Sequence, residues 1–430
     1  MRVLFVSASP IRKEVSIGNT FLNLFAESEN ITLASVYTRG GLPDAAISQA
    51  FCLTDAMLVK NLLRKTPVGK TVPCGETAEK TAPPPQDSSN LARFMKRYRL
   101  SVFFWAQDLL WRVGRWKSPE LQKFVEDFQP DIVFTVLSDS PFLNRLILHI
   151  VKISGAKLAL YAWDNNYSLK MFALSPLRWI RQICNRVSMR KVAAAADLFY
   201  VISEVQKQDY EKAFTKPCKV LTKCADFSAP PQLKSAYHTP LQLVFTGNIG
   251  TNRWKSLAVI AQALQELNQN GTKAELRIYT ATPLTAKMQK ALQIDGASYL
   301  MGTVPASEIP QIQSEADMLV HVEAMDLKNK LAVRQSFSTK LVDYFKAARP
   351  ILAVGPKDVA SIDHLLQNNC ALVADNAADL VVMLSDCLEN PKRLNTLAEN
   401  AFLCGKRHHN AAQMKEMLCA DLKKTVASRK

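Results

Sequence analysis

The chain has 430 residues, 48% apolar and 21% charged, which excludes general disorder and a small disulfide scaffold and leaves side chain for two or three domain cores. Its 54 Lys and Arg against 38 Asp and Glu leave a net charge of +16, which favours an anionic partner of unspecified kind. The nine cysteines are odd in number, scattered and without CxxC spacing, so reduced thiols are expected, with no metal site and no bound cofactor.

In chain order, Val3 to Ser7 reads as a buried first strand, because its apolar stretch is too short for a secretory signal and meets charge again at Arg12, Lys13 and Glu14. Gly18 and Asn19 then lead into a helix whose N-terminus could offer amides to an anion, as a phosphate or acceptor loop; an ordinary strand-to-helix turn fits equally well. A second strand is expected over Thr32 to Tyr37. Residues 65–89, rich in Pro, Gly and Ser, read as an exposed mobile insertion. Within it Gly69-Lys70-Thr71 imitates the end of a phosphate-binding loop. Arg64 stands where the leading glycine should be, so the imitation is rejected.

Residues 91–117 are basic and aromatic. Core packing with snorkelling Arg heads is the first reading, an anionic membrane surface the second, and nucleic acid the last, since no nucleic-acid module frames the segment. No nucleic-acid partner is expected. Helices at Pro119 to Phe128 and Pro141 to Ser154 alternate with strands at Ile132 to Val136, Leu158 to Ala162 and Leu198 to Ile202. After Leu158 to Ala162 comes Asp164, in a loop where an Asx turn with Asn165 and Asn166 is the plain reading.

Three prolines between residues 226 and 240 mark a linker. The alternation then repeats, with strands at Leu243 to Gly247, Glu275 to Tyr279, Met318 to Val322, Ile351 to Val354 and Ala371 to Val373. Helices are expected from about Lys255 to Asn268, Thr339 to Ala347 and Val359 to Gln367. The predicted domains are therefore 1–230, 231–405 and a terminal helix over 406–430 that packs back across the junction. Residues 1–240 hold 32 basic and 20 acidic side chains, so most of the excess charge lies in the first half.

Phe337-Ser338-Thr339-Lys340 opens one helix, Asp343 follows one turn later, and a strand begins after Arg349-Pro350. A lysine in a first turn opposes the helix dipole unless a bound anion answers both, which makes Lys340 a phosphate candidate. Asp343 could accept from ribose hydroxyls. A solvated ion pair between Lys340 and Asp343, capped by Ser338, is the plain alternative.

Taken together, these segments resemble the two-domain GT-B glycosyltransferases of the retaining, family-4-like type of bacterial surface polysaccharide biosynthesis. Thr339-Lys340 followed by Asp343 is similar to the family's ribose-binding segment. Phe245 to Leu257 resembles its first C-domain strand and loop, with Gly247 and Asn248 near the donor and Arg253 or Lys255 at the diphosphate. His321-Val322-Glu323, the Pro130-Asp131 strand, the Tyr161 to Asn166 loop and Ala194 to Val205 also resemble it. Gln335 and Tyr161 depart from the pattern, standing where an acid and a histidine are common.

The resemblance implies an α/β fold of two facing doubly wound Rossmann-like domains with parallel sheets, the first binding acceptor and the second donor. It implies a cytoplasmic enzyme, peripheral on the inner face of the membrane, moving a sugar from a nucleotide-sugar donor to a glycan or lipid-linked acceptor. Donor-binding residues would be Gly247, Asn248, Arg253, Lys255, Glu323, Ser338, Thr339, Lys340 and Asp343, with Asp164 and Lys340 catalytic. A nucleotide-sugar epimerase and a degenerate GT-B binding protein are the alternatives.

Overall fold

The computed structural model describes residues 1–13, 16–25, 30–75 and 101–428. The chain divides into two compact units. The first comprises residues 1–169, 173–221 and 415–430, the second residues 170–172 and 222–414.

The first unit is built on an eight-stranded sheet in the order β4-β3-β2-β1-β5-β6-β7-β8. Its strands are β1 (Arg2–Ser7), β2 (Thr32–Tyr37), β3 (Gln49–Cys52), β4 (Lys70–Val72), β5 (Ile132–Val136), β6 (Lys157–Ala162), β7 (Leu198–Val201) and β8 (Lys219–Val220). All neighbours are parallel except β3 and β4. The central strands are buried on both faces, as parallel sheets covered by helices require, which is why they read in sequence as unbroken apolar runs.

Helices α1 (Ser16–Phe25), α2 (Asp55–Arg64), α3 (Ser101–Val113), α4 (Pro119–Phe128), α5 (Pro141–Ser154), α6 (Pro176–Ala195) and α7 (Glu204–Phe214) surround this sheet. Their ends follow from local chemistry: Ser118 caps α4 by accepting from the Leu121 amide at 3.2 Å, and α4 and α5 both begin on proline. The expected insertion over 65–89 contributes the edge strand β4; its residues 76–89 lie outside the described part, as do residues 91–100 of the basic segment. In what is described of that segment the tryptophans Trp111 and Trp116 pack inward, while Leu109 and Val113 are exposed. Trp111 is fully buried, stacks on Phe142 at 4.6 Å and donates its Nε1 hydrogen to Asp55 at 2.6 Å, while Trp116 donates to the Trp111 carbonyl at 2.7 Å.

The second unit carries a six-stranded parallel sheet in the order β11-β10-β9-β12-β13-β14. Its strands are β9 (Leu241–Thr246), β10 (Ala274–Tyr279), β11 (Ser298–Gly302), β12 (Met318–Val322), β13 (Ile351–Val354) and β14 (Leu372–Ala374). The helices that matter below are α8 (Arg253–Leu267), α9 (Ala286–Leu292), α10 (Ile309–Glu315), α11 (Leu327–Val333), α12 (Lys340–Ala347) and α13 (Ala360–Gln367); α14 (Ala377–Glu389), α15 (Pro391–His408) and α16 (Ala411–Ala427) complete the chain.

Buried Asp317 anchors the linker to this sheet, receiving Lys234 Nζ at 2.5 Å and the amides of His238 and Gln242 at 3.1 and 2.9 Å. The end of α16 belongs to the first unit. There Asp421 accepts from Tyr200 at 3.1 Å and pairs with Lys219, and Leu418 and Leu422 are fully buried.

Candidate functional site

In each sheet the winding direction reverses beside one strand, and ligands in such sheets sit beyond the carboxyl ends at that point. In the second unit the reversal lies between β9 and β12, whose register pairs Leu243 with Met318 and Val244 with Leu319. Three segments meet there: the loop after β9, the loop after β12, and the start of α12.

Gly247 follows β9 with φ of +133°, a backbone state that favours glycine. A Cβ at this position would lie 2.4 Å from Lys340 Nζ, so the absence of a side chain is what admits the ammonium. Lys340, first residue of α12, reaches back to donate to the Thr246 carbonyl at 3.0 Å and lies 4.8 Å from the centre of the Phe245 ring. Burial, reinforced by the Arg253 charge, pulls its pKa down to about 8, although Glu323 and Asp343 oppose that shift.

Arg253 opens α8 and directs Nε and one terminal nitrogen to a single Glu323 oxygen, Oε2, at 3.1 and 3.0 Å. Glu323 is buried at the end of β12. Burial raises its pKa, and Arg253 and Lys340 counter the rise. His321 lies with Nε2 3.5 Å from the other Glu323 oxygen. Burial, with Lys340 and Arg253 nearby, brings the His321 pKa down to about 3, so the ring is neutral near pH 7 and this contact is no ion pair. The result is a compact set of two cations, one carboxylate and a neutral imidazole at the mouth of the β9 loop, with chemistry suited to a diphosphate.

Asp343, one turn into α12, does not pair with Lys340. Both its oxygens receive Lys223 Nζ, at 2.7 and 2.8 Å. The plain alternative of an i,i+3 ion pair with Lys340 is therefore not the arrangement formed. Ser338 receives a different role from helix capping: its amide donates to Ser361 Oγ at 2.9 Å, and Thr339 precedes α12 without a side-chain cap bond. Asn248 is exposed and accepts from the Gly250 amide at 2.6 Å, holding the loop turn. Of the two candidate cations after β9, Arg253 joins Glu323. Lys255 is exposed, its ammonium 5.9 Å from the centre of the Trp254 ring.

Beside Gly247 and Asn248 lies a cavity of about 420 Å³ bordered by Tyr279, Thr280, Thr282 and Thr303 at the ends of β10 and β11. Sequence reasoning did not single out these residues, although Thr280-Ala281-Thr282-Pro283 after an expected strand was a readable turn signal. It also missed Lys223, and no local signal marks it.

The remaining candidates belong to the first unit. Asp164 is exposed after β6, and its carbonyl accepts from the Asn166 amide at 2.8 Å and Gln206 Nε2 at 3.0 Å. Gly18 and Asn19 lie inside the first turn of α1, which starts at Ser16 and thus earlier than expected. Gly18 is dictated by contact: a Cβ there would fall 2.1 Å from the Arg12 carbonyl oxygen. Asn19 Oδ1 accepts from Asn23 at 3.1 Å, along the same helix.

Comparison with known proteins bears on the fold. HepE (Alr3699) of Anabaena, crystallised with UDP, matches over 99% of this chain and 100% of its own at 12% identity, with a TM-score of 0.63. A glycosyltransferase from Rickettsia africae matches over 99% and 98% at 10% identity with a TM-score of 0.60, and sucrose-phosphate synthase from Thermosynechococcus elongatus over 99% and 99% at 10% with 0.59. The chain thus has the two-domain GT-B fold. Residues 240–390, inside the second unit, match the family model described as Glycosyl transferases group 1. No curated protein matches it.

Proposed function

We propose that the chain moves a sugar from a nucleotide-sugar donor held by the second unit to a glycan or lipid-linked acceptor. The observation that carries this reading is the Lys340 ammonium seated against Gly247 beside the Arg253–Glu323 pair, at the sheet's winding reversal.

As the glycosidic bond breaks, negative charge grows on the departing nucleoside diphosphate. Lys340 and Arg253 answer that growing charge better than the ground-state charge, which is how fixed cations lower a barrier. These two cations supply the charge without calling on a metal. Glu323 holds the Arg253 guanidinium in place, Asp343 on its Lys223 clasp offers carboxylate oxygens to ribose hydroxyls, and the Tyr279 to Thr303 cavity gives space for the base or sugar. UDP is the first nucleotide to test, since crystals of the Anabaena relative hold UDP, UDP with glucose, and UDP-glucose.

Retention, with the acceptor attacking on the leaving-group face and Asp164 orienting it, follows the family resemblance, as do the surface-polysaccharide setting and the peripheral, inner-face location. Among the described residues no helix is long and apolar enough to cross a membrane.

The reading is tested by melting-temperature shifts with UDP, GDP, ADP and CMP, because a ligand selective for the folded state raises the midpoint. UDP is expected to shift it, Asp343→Ala to remove the shift, and Asp164→Ala to keep the shift while losing transfer. Absence of any shift with all four nucleotides sinks the donor site.

A further inference from the structure

The first unit holds a cavity of about 330 Å³, within the range of roughly 300–1,000 Å³ typical of small-molecule sites, that the donor reading does not use. It opens between α3, α5 and α6, and its apolar wall includes Trp105, Phe142 and Leu148.

Charge is its first distinctive property. Arg112, Arg145, Arg181 and Lys191 all border it, against one bordering acid, Asp108. Buried Asp108 takes Arg145 at 3.0 Å and Arg112 at 3.1 Å, so one carboxylate answers two guanidinium groups. Arg181 lies over Phe104, its Cζ 3.9 Å from the ring centre, and only 3.9 Å from the half-exposed Asp139 carboxylate. Lys191 has no anionic partner among the described residues. The N-terminus of α5 also borders the cavity at Ser140 to Phe142, with no acid in its first turn and no side-chain cap on its amides.

The second property is unmet hydrogen bonding. Asn185, 3% exposed, borders the cavity with Oδ1 unpartnered, and Trp105 Nε1 is likewise buried without a partner. Buried polar atoms are almost always paired, so these two mark where a ligand would complete the set. One is a donor and the other an acceptor. The oxygens of a phosphate monoester accept from Trp105 Nε1, and from Asn185 once its amide turns to present Nδ2 to the cavity.

The third property is the surface leading away from the cavity. Leu177, Ile180, Cys184, Val187 and Lys191 follow one another on α6 at alternating steps of three and four, and therefore share one face. The last three border the cavity, while Leu177 and Ile180 continue outward and are about half exposed. An apolar track thus runs out of a cationic, hydrogen-bonding pocket.

We infer that this cavity binds the phosphate head of an amphiphile whose hydrocarbon chain lies along the α6 track. That such a ligand is the acceptor rests on the transferase reading above; that the cavity binds it does not.

Isothermal titration of the full chain at pH 7 tests this with three probes: dodecyl phosphate below its micelle concentration, inorganic phosphate, and neutral dodecyl maltoside. Dodecyl phosphate should bind at least about tenfold tighter than either of the others, and Arg181→Gln and Lys191→Gln should each weaken it by about tenfold. Equal affinity for inorganic phosphate would make this a free-anion site and overturn the lipid assignment. Equal affinity for the maltoside would make it an unselective apolar surface, and affinity unchanged in both variants would remove the ligand from the cavity.

Circular dichroism melting checks that the variants fold. Should one not, Val187→Glu on the exposed edge places a like charge beside the head, and unaltered binding there also overturns the inference. The UDP-induced melting shift is read in parallel. Its loss with dodecyl phosphate binding intact defeats the transferase reading alone, and the converse defeats the cavity alone.

Discussion

Raising the pH from 7 to 9 should weaken nucleoside diphosphate binding through a single side chain. Lys340 sits out of water against Gly247 and the Phe245 ring, with burial and then Arg253 bringing its pKa down to about 8. A bound diphosphate adds negative charge and keeps the ammonium protonated in the complex. Above that pKa, binding must therefore take up a proton. Between pH 7 and 9 the protonated fraction of the free protein falls from roughly ten elevenths to one eleventh, a loss of about tenfold in affinity, or about 1.4 kcal/mol.

The assay is titration of UDP at pH 7, 8 and 9 in two buffers of different ionisation enthalpy, which reads proton uptake directly. Lys340→Arg should bind with little pH dependence, because a guanidinium stays charged throughout. Lys340→Met should bind weakly at every pH. Identical affinity at pH 7 and 9 in the parent, or a pH slope that persists in Lys340→Met, would refute the reasoning.

The same shift acts on stability with a definite sign. The folded pKa is about 8 and the ordinary value 10.5, so between them the unfolded chain binds more protons than the folded one. Stability of the free protein from this group rises with pH across that window. Lys340→Met should abolish that part of the rise.

Gly247→Ala must displace the ammonium, since its Cβ would lie 2.4 Å from Lys340 Nζ, and must hold φ near +133°. A strain of about 1–3 kcal/mol and loss of the UDP-induced melting shift are expected, and parent-like melting with parent-like binding would disprove the close approach. Trp111→Ala opens a void against Phe142 and removes the Nε1 donor from Asp55 Oδ1, leaving Gln107 on the other oxygen, so a loss of about 3–5 kcal/mol in urea unfolding is expected, with Trp111→Phe losing about 1–3. A loss under 1 kcal/mol for the alanine variant would place this tryptophan outside the core.

The strands legible in sequence are those buried on both faces. Ile132–Val136, Met318–Val322 and Ile351–Val354 stand where their apolar runs place them. Strands β3, β4, β8 and β11 escaped notice for a physical reason: they lie toward the sheet margins, are short or partly exposed, and mix small and polar residues.

The site divides in a similar way. Lys340 drew attention because a lysine at a helix start needs an electrostatic reason, and Glu323 only through the family resemblance of His321-Val322-Glu323. Lys223 was not, for it meets Asp343 across 120 residues of chain, and such pairing leaves no local pattern. Nor does residue type distinguish Arg253 from Lys255; only the turn of α8 decides which one reaches Glu323.

The first unit is completed by the end of α16. Leu418 and Leu422 are fully buried there and Asp421 ties to Tyr200 and Lys219, whereas every segment of the second unit has been made by residue 414. On a ribosome the second unit can therefore finish first, although its sequence begins later, while the first waits for α16 with its seat for Leu418 and Leu422 still open to water. Domains ordinarily fold in the order in which they are made. Here the connectivity reverses that order, so the first unit is the one that a chaperone would have to shelter until α16 has been made.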